Sequence, residues 1–285
     1  IPGVAEVLVT GWDCPPVDAA VLDAMPHLRA VLHAAGSVKQ HLTHEFWDRG
    51  LLVSSAADAN AVPVAEYTVS AILLAGKGVF GLRERYRADR AFVPADVVNG
   101  VGNFGLRVGV VGASRIGRRV INLLRAFDVE VFLTDPHVDE AAASDLGATL
   151  VDLDKLMATC DVVSLHAPDI PDTHRMIDRD RLSLMRDGGV IINTARGALV
   201  DSGALTRELV EGRLSAVLDV TDPEPLPADS PLFDLPNVFL TPHIAGSQGN
   251  ELARMGESTA AELERLVHGR PLRHAIRRSD LEWQA

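Results

Sequence analysis

The sequence predicts an α/β protein built on a doubly wound parallel sheet with a second, smaller α/β unit beside it. Three observations predict it. Short apolar runs alternate with stretches of helical spacing along nearly the whole chain, the pattern of parallel βαβ units. One run leads directly into the turn Gly112-Ala113-Ser114-Arg115-Ile116-Gly117. The length, 285 residues, exceeds what one ordinary core organises and points to two domains.

The early runs are Val7-Leu8-Val9, Ala30-Val31-Leu32 and Leu51-Leu52-Val53, separated by helix-like segments at 17–24 and 43–49. Together they make one small α/β unit, flavodoxin-like in its alternation. A long helical segment follows at 64–86. It holds Gly76, Gly78 and Gly81, which either break it or permit close packing, since each costs about 1 kcal/mol against Ala in a helix. An irregular stretch at 87–105 is the expected boundary. The second run of strands lies at 108–111, 129–133, 161–165, 189–192, 216–218 and 238–240, with helices at 115–127, 139–146, 152–159, 179–185 and 203–210. Gly212 stands where a helix-terminating glycine belongs. A last helix, 250–268, spaces Leu252, Met255, Ala260, Leu263, Leu266 and Val267 at helical intervals and ends before Gly269 and Pro271. The expected domains are 1–90 with 248–285, discontinuous in sequence, and 91–247.

Six strands alternating with five helices make a Rossmann-type sheet, which binds ligands beyond the carboxyl ends of its strands, where strand order reverses. Gly112 suits the tight turn and Gly117 the close packing of helix on strand. Ser114 stands where a G-x-G-x-x-G fingerprint has its middle glycine. Arg115 and Ile116 open a helix whose free N–H groups would face a pyrophosphate. The next strand ends at Asp135, about 18 residues past Gly117, where the ribose-binding acid of this fold belongs. A carboxylate there repels a 2′-phosphate, so the expected cofactor is NAD.

Composition excludes several classes. A net charge of −12 argues against a nucleic-acid partner. Cys14 and Cys160 cannot form a disulfide framework, and a cytoplasmic setting is the simplest expectation. No apolar run reaches the ~18 residues of a membrane helix, so no membrane partner is expected. No Cys/His cluster has metal-ligand spacing, and no metal is expected. The apolar share of 47% rules out disorder.

Three further segments each end a strand of the larger sheet: Asn193-Thr194-Ala195-Arg196-Gly197, the stretch from Leu218-Asp219 through Glu224-Pro225, and Thr241-Pro242-His243-Ile244-Ala245-Gly246. One sheet edge would then carry an Arg, a Glu and a His, a plausible acid/base and anion-binding set. With these motifs on the page, the chain resembles the D-isomer-specific 2-hydroxyacid dehydrogenases. The likeness covers nearly the whole chain, including Val62-Pro63-Val64-Ala65-Glu66 and Leu199-Val200-Asp201.

The resemblance implies a hydride transfer between NAD(H) and a small D-2-hydroxy acid or 2-oxo acid, with glyoxylate or hydroxypyruvate as the best guess. Arg196 matches the arginine that grips the substrate carboxylate and carbonyl, a task suited to a planar guanidinium. His243 matches the acid/base and Glu224 its carboxylate partner, which stabilises the imidazolium. Asp219 matches the position that holds the nicotinamide carboxamide. Ala167 and Pro168, Thr194 and Ala195, and Gly246 match segments lining the cofactor, while Gly36, Ser37 and Val38 match the loop whose N–H groups meet the substrate carboxylate. The family usually forms homodimers through the nucleotide domain, with the 87–105 segment expected to embrace the partner.

Alternatives stay open: an NAD-sensing scaffold on the same fold, or a family member with another substrate such as phosphite or formate. Formate dehydrogenases pair the His with Gln, so Glu224 weighs against formate. An unrelated methyltransferase would not need Arg196, Glu224 and His243 together. Lys39 departs from the Asp common in the family and is expected to face water. His33 and His166, near strand ends, are the histidines most easily confused with His243. Family members carry a further strand and helix ahead of the Val7 run, so an N-terminal piece is expected to precede Ile1.

Overall fold

The computed structural model describes residues 2–92 and 101–282. Residues 93–100, in the middle of the stretch expected to embrace a partner, lie outside the described residues. The chain divides into two compact units, one from residues up to Pro63 together with those from Gly246 onward, the other Val64–Ala245.

In the first unit, β1 (Val7–Thr10), β2 (Ala30–His33) and β3 (Leu52–Ser55) form a parallel sheet in that order, with Val7 opposite Ala30 and Ala30 opposite Leu52. The connecting helices are α1 (Ala19–Ala24) and α2 (His44–Asp48). Asp18 caps α1 by accepting from the Val21 N–H at 3.0 Å. Leu22, Val31, Phe46 and Val53 are buried in one core with Ile276.

Helix α3 (Ala57–Gly76) starts earlier than the expected residue 64 and runs through Pro63. Ala56 and Ala59, ahead of the proline, are buried against Met255, so packing extends the helix past a residue that costs it a hydrogen bond. The helix ends at Gly76, and Gly78, whose φ of +60° a residue with a side chain avoids, precedes α4 (Val79–Asp89). Gly76 instead serves close packing, because a Cβ there would fall 2.1 Å from Asn103 Oδ1. With 20 residues and a mean hydropathy of 1.2, α3 is long and apolar enough in composition to span a bilayer. Asp58, Asn60 and Glu66 interrupt it, so it is not an unbroken apolar run. Its apolar residues from Ala65 to Ala75 belong to the core of the second unit. This packing places the division between units at Pro63/Val64 and Ala245/Gly246, whereas the sequence pattern had placed it at 90/91 and 247/248.

The second unit is a seven-stranded parallel sheet. Its elements are β4 (Leu106–Val111), α5 (Arg115–Leu124), β5 (Val129–Thr134), α6 (Glu140–Leu146), β6 (Thr149–Leu150), α7 (Leu153–Thr159), β7 (Val162–Leu165), α8 (Arg179–Leu184), β8 (Val190–Asn193), α9 (Ser202–Val210), β9 (Ser215–Leu218) and β10 (Val238–Leu240). The strand order is β10-β9-β8-β7-β4-β5-β6, so direction of travel reverses at β4. The edge strand β6 was not foreseen, because two residues carry no readable period.

Both faces of this sheet are covered, as near-continuous apolar strands require. Val108 and Val110 pack with Ile72, Val120, Ile121 and Leu133 on one side. On the other, Val111 packs with Leu156, Leu165, Ile191 and Leu209. Alternation along β4 explains the division. Gly109 points to the second face, where a Cβ would meet Leu156 Cδ2 at 2.4 Å, so the glycine lets α7 lie on the strand. The helices of this unit are capped from the sequence: Ser114, Asp139, Asp152, Asp178 and Asp201 each accept an N–H of the following turn. Such a cap is worth about 1 kcal/mol.

Helix α10 (Leu252–Val267) returns to the first unit. Its apolar spacing predicted a buried stripe, yet Leu252, Leu263 and Val267 are exposed while Met255 and Glu262 are buried. The buried Glu262 carboxylate accepts from the Arg273 and His274 N–H groups, turning the chain so that Ala275 pairs antiparallel with Ser54. The charged residue outranks the leucines because it organises this return.

A Cβ on Gly117 would sit 2.1 Å from the Gly112 carbonyl oxygen. Gly117→Ala is therefore expected to destabilise the protein by about 1–3 kcal/mol, measured as a lowered urea midpoint; an unchanged midpoint would contradict this packing.

Candidate active site

The reversal at β4 puts the loop after that strand beside the loop after β7. They touch: a Cβ on Gly112 would be 2.7 Å from the Ala167 nitrogen. Gly112 also has φ +99°, so this turn needs glycine twice over. Ser114 is not a flawed glycine. Its Oγ accepts from the Gly117 N–H at 3.3 Å and caps α5. The first N–H groups of α5 have no partner within the helix itself. Amides at the start of a ten-residue helix suit a phosphate.

Asp135, just past β5, accepts the Ala113 N–H at 2.7 Å through Oδ2 and the His137 N–H at 2.8 Å through Oδ1. Each oxygen keeps a lone pair for a sugar hydroxyl. The residues thus fit a dinucleotide: a glycine cradle with no room for side chains, a helix N-terminus, and a carboxylate fixed one strand away. Gly112, Ser114, Arg115, Ile116, Gly117, Asp135 and Ala167 come together here; Pro168 follows Ala167 in the chain.

His166, the residue before Ala167, is a buried member of the same loop that composition could not assign. Its Nε2 pairs with Ser164 Oγ at 2.9 Å, and its Nδ1 is buried without a partner. Burial pulls its pKa down to about 3, so the ring is neutral near pH 7 and unsuited to giving up a proton.

The Arg, Glu and His motifs occupy the carboxyl ends of β8, β9 and β10. Asn193 shapes the first. Its Oδ1 accepts from the Ala195 N–H at 3.0 Å and its Nδ2 donates to the Arg196 carbonyl at 2.8 Å. Thr194 is buried and pairs with Thr68 at 2.9 Å. A Cβ on Gly197 would lie 2.1 Å from the Thr221 carbonyl, so the arginine loop and the loop leading to Glu224 meet backbone to backbone. Glu224 and His243 also meet: the His243 Nδ1–H donates to Glu224 Oε1 at 2.7 Å, with both side chains about half exposed.

His243 has φ +53°, a region that costs a residue with a side chain about 1–3 kcal/mol and needs support from its surroundings. Asp219 supplies that support. Its carbonyl accepts the His243 N–H at 2.9 Å. Its buried carboxylate accepts from the Ile244 N–H at 2.8 Å, the Ala245 N–H at 2.9 Å and the Thr241 hydroxyl at 2.6 Å. Because Thr241 donates to Asp219, the Tyr67 hydroxyl, 2.7 Å away, donates to Thr241. Asp219, expected to hold a carboxamide, also fixes the turn that presents His243, and its Oδ2, with one protein donor, keeps a lone pair. Tyr67 and Thr241 were not singled out from sequence, and an apolar helix offered no signal for Tyr67.

Gly36, Ser37, Val38 and Gly246 fall in the first unit. Gly246 lies against Asn60, where a Cβ would be 3.1 Å from Asn60 Oδ1, and Asn60 accepts the Ser247 N–H at 2.8 Å. Among the described residues, the N–H groups of Gly36, Ser37 and Val38 donate to no acceptor. Lys39 donates its own N–H to Ser37 Oγ at 3.3 Å.

A doubly wound sheet with such a loop at its point of reversal defines a dinucleotide-binding protein. The chain belongs to the D-isomer specific 2-hydroxyacid dehydrogenases: the model of that family's NAD binding domain matches residues 69–245. D-3-phosphoglycerate dehydrogenase of Mycobacterium tuberculosis (strain ATCC 25618 / H37Rv) is 36% identical over 258 residues, 89% of this chain and 48% of its own length. Glyoxylate reductase of Korarchaeum cryptofilum (strain OPF8) is 32% identical over 252 residues, 87% of this chain and 76% of its own. Among solved structures, the TT0316 protein from Thermus thermophilus superposes with a TM-score of 0.80 at 33% identity, over 96% of this chain and 87% of that one. The chain spans about half the length of the mycobacterial relative. Its second unit is an NAD-binding domain.

The geometry can be tested in two ways. Asp219→Asn places an amide NH2 against at least one N–H or hydroxyl donor. It should cost about 1–3 kcal/mol in urea unfolding, and a variant as stable as the parent would show that the clamp is dispensable. The second test concerns acid. His33 and His166 have pKa values lowered by burial from 6.5 to about 4 and about 3. The unfolded chain therefore binds more protons than the folded one below about pH 6.5. Stability should fall as the pH drops from 6.5 toward those lower values, and the fall should shrink in His166→Asn.

Proposed function

We propose that the protein is an NAD-dependent D-2-hydroxyacid dehydrogenase that reduces a small 2-oxo acid of the glyoxylate or hydroxypyruvate kind. The observation that carries this reading is the His243–Glu224 pair at 2.7 Å on a turn clamped by Asp219. That pair stands at the carboxyl edge of the sheet whose β4 loop leads into the N-terminus of α5.

NAD(H), when bound, supplies or takes up the hydride at C2 of the substrate. The Gly112–Gly117 turn and the start of α5 would hold its pyrophosphate, and Asp135 a ribose. Ala167, Pro168, Thr194, Ala195 and Gly246 would line it. Nδ1 of His243 is tied to Glu224, so Nε2 is the atom that gives a proton to the carbonyl oxygen during reduction and removes it in oxidation. Glu224 stabilises the imidazolium and fixes the ring. Arg196 offers parallel donors to the 2-oxo carboxylate and carbonyl, and the free N–H groups of Gly36, Ser37 and Val38 offer further ones to the carboxylate. Asp219 acts through His243, holding its backbone in place. The same reading carries a homodimer and a cytoplasmic setting.

His243→Ala and Arg196→Ala should each lower kcat by about 100-fold or more while NADH binding, followed by fluorescence titration, stays within about twofold. Single-turnover hydride transfer at the parent rate in both variants would sink the assignment. A panel of 2-oxo acids with NADH and NADPH in parallel identifies the substrate, and NADH binding with no turnover on any of them would favour a sensing scaffold instead.

A further inference from the structure

Helix α3 sends two neighbouring hydroxyls to two different loops of the second unit, and the mechanism uses neither. Thr68 Oγ1 pairs with Thr194 Oγ1 at 2.9 Å, both residues being buried, in the segment that leads to Arg196. Tyr67 Oη lies 2.7 Å from Thr241 Oγ1, at the start of the turn that presents His243. The Tyr67 ring is half-buried and packs against the core that α3 shares with β4, β8 and β9. A tyrosine has only two side-chain torsions, so a packed ring fixes where its hydroxyl points.

The far end of this chain of bonds settles its direction. Asp219 Oδ1 is a carboxylate oxygen and can only accept, so the single proton of the Thr241 hydroxyl goes to it, at 2.6 Å. Thr241 then has only lone pairs to offer Tyr67, and the phenol is the donor. Burial raises the Tyr67 pKa, and the Asp219 charge adds to the rise against the Thr241 bond, so the phenol keeps its proton. A hydroxyl that itself receives a hydrogen bond is polarised and donates more strongly. Tyr67 therefore tightens the Thr241 bond to the same oxygen that takes the Ile244 N–H at 2.8 Å. Thr241 stands two residues before His243 and Ile244 one after it, so the left-handed backbone at φ +53° is pinned on both sides. The Thr241 carbonyl also accepts the His243 N–H at 3.1 Å, and a shift of Thr241 reaches the histidine directly.

We propose that Tyr67 is a positioning residue for His243, donating its O–H to Thr241 and so fixing, through Asp219, the turn that aims the imidazole at Glu224. The inference rests on the functional reading above only for the reaction that His243 serves. Its geometry lies wholly in the second unit.

Spectroscopy and kinetics test it separately. In the 15N-labelled full chain, the His243 ring signals are assigned by their loss in His243→Ala. Tyr67→Phe, which keeps the packed ring, should shift those signals, and adding it to Thr241→Val should shift them no further than Thr241→Val alone. Thr68→Val removes the neighbouring buried hydroxyl of the same helix and should leave them in place. Unmoved His243 signals in folded Tyr67→Phe, or equal shifts in Tyr67→Phe and Thr68→Val, overturn the proposal whatever the protein's activity. With glyoxylate and NADH, Tyr67→Phe should lower kcat about fivefold, the effect of one hydrogen bond. KM for glyoxylate and NADH affinity should stay within about twofold. In a Thr241→Val background the same substitution should change kcat by less than about 1.5-fold. A parent kcat in folded Tyr67→Phe, or the same loss in both backgrounds, refutes action through Thr241. Should the parent oxidise NADH with no 2-oxo acid, the functional reading fails, and the His243 signals still decide the role of Tyr67.

Discussion

A carboxylate taken out of water must find donors or lose its charge, and Asp219 finds all of its donors on one turn. Thr241, Ile244 and Ala245 converge on its two oxygens, and the residue enclosed between them is His243. The left-handed backbone of that histidine is tolerable only because these bonds hold it. The ring in turn can face Glu224 only because its backbone is held. The His243–Glu224 pair is therefore a consequence of a buried charge just past β9, and Tyr67 extends the same network into α3.

The phosphate loop obeys a different constraint, the exclusion of side chains. Gly112 and Gly117 leave no space for a Cβ. The loop is drawn tight against Ala167 in the loop after β7, and it leads straight into the start of α5. Ser114 shows how the middle position can dispense with glycine. Its Oγ takes the Gly117 N–H as a cap, so the hydroxyl contributes to the helix start and the loop keeps its course.

Much of this was legible in the chain. The strands of the larger sheet are buried on both faces, so they read as unbroken apolar runs, and the caps Asp139, Asp152 and Asp201 stand just ahead of the helices they start. Arg196, Glu224 and His243 were readable because the motifs that hold them begin where such runs end. What escaped has a physical reason in each case. Strand β6 is too short to show a period. Helix α3 passes through Pro63 because packing on both sides of it prevails over local preference. The apolar residues of α10 gave a false stripe, since the buried side chain that matters there is Glu262, bound to a distant backbone. Asn193, Thr241 and Tyr67 act through bonds that no spacing rule encodes, and the work of Asp219 on the His243 turn was invisible without its partners.

The contact at Gly197 reaches beyond local packing. With the arginine loop and the Thr221–Asp222 backbone touching where a methyl group would not fit, Arg196 and the approach to Glu224 form one stiff piece. Natural variation cannot widen or retune one without disturbing the other, so this side of the site is closed to gradual change.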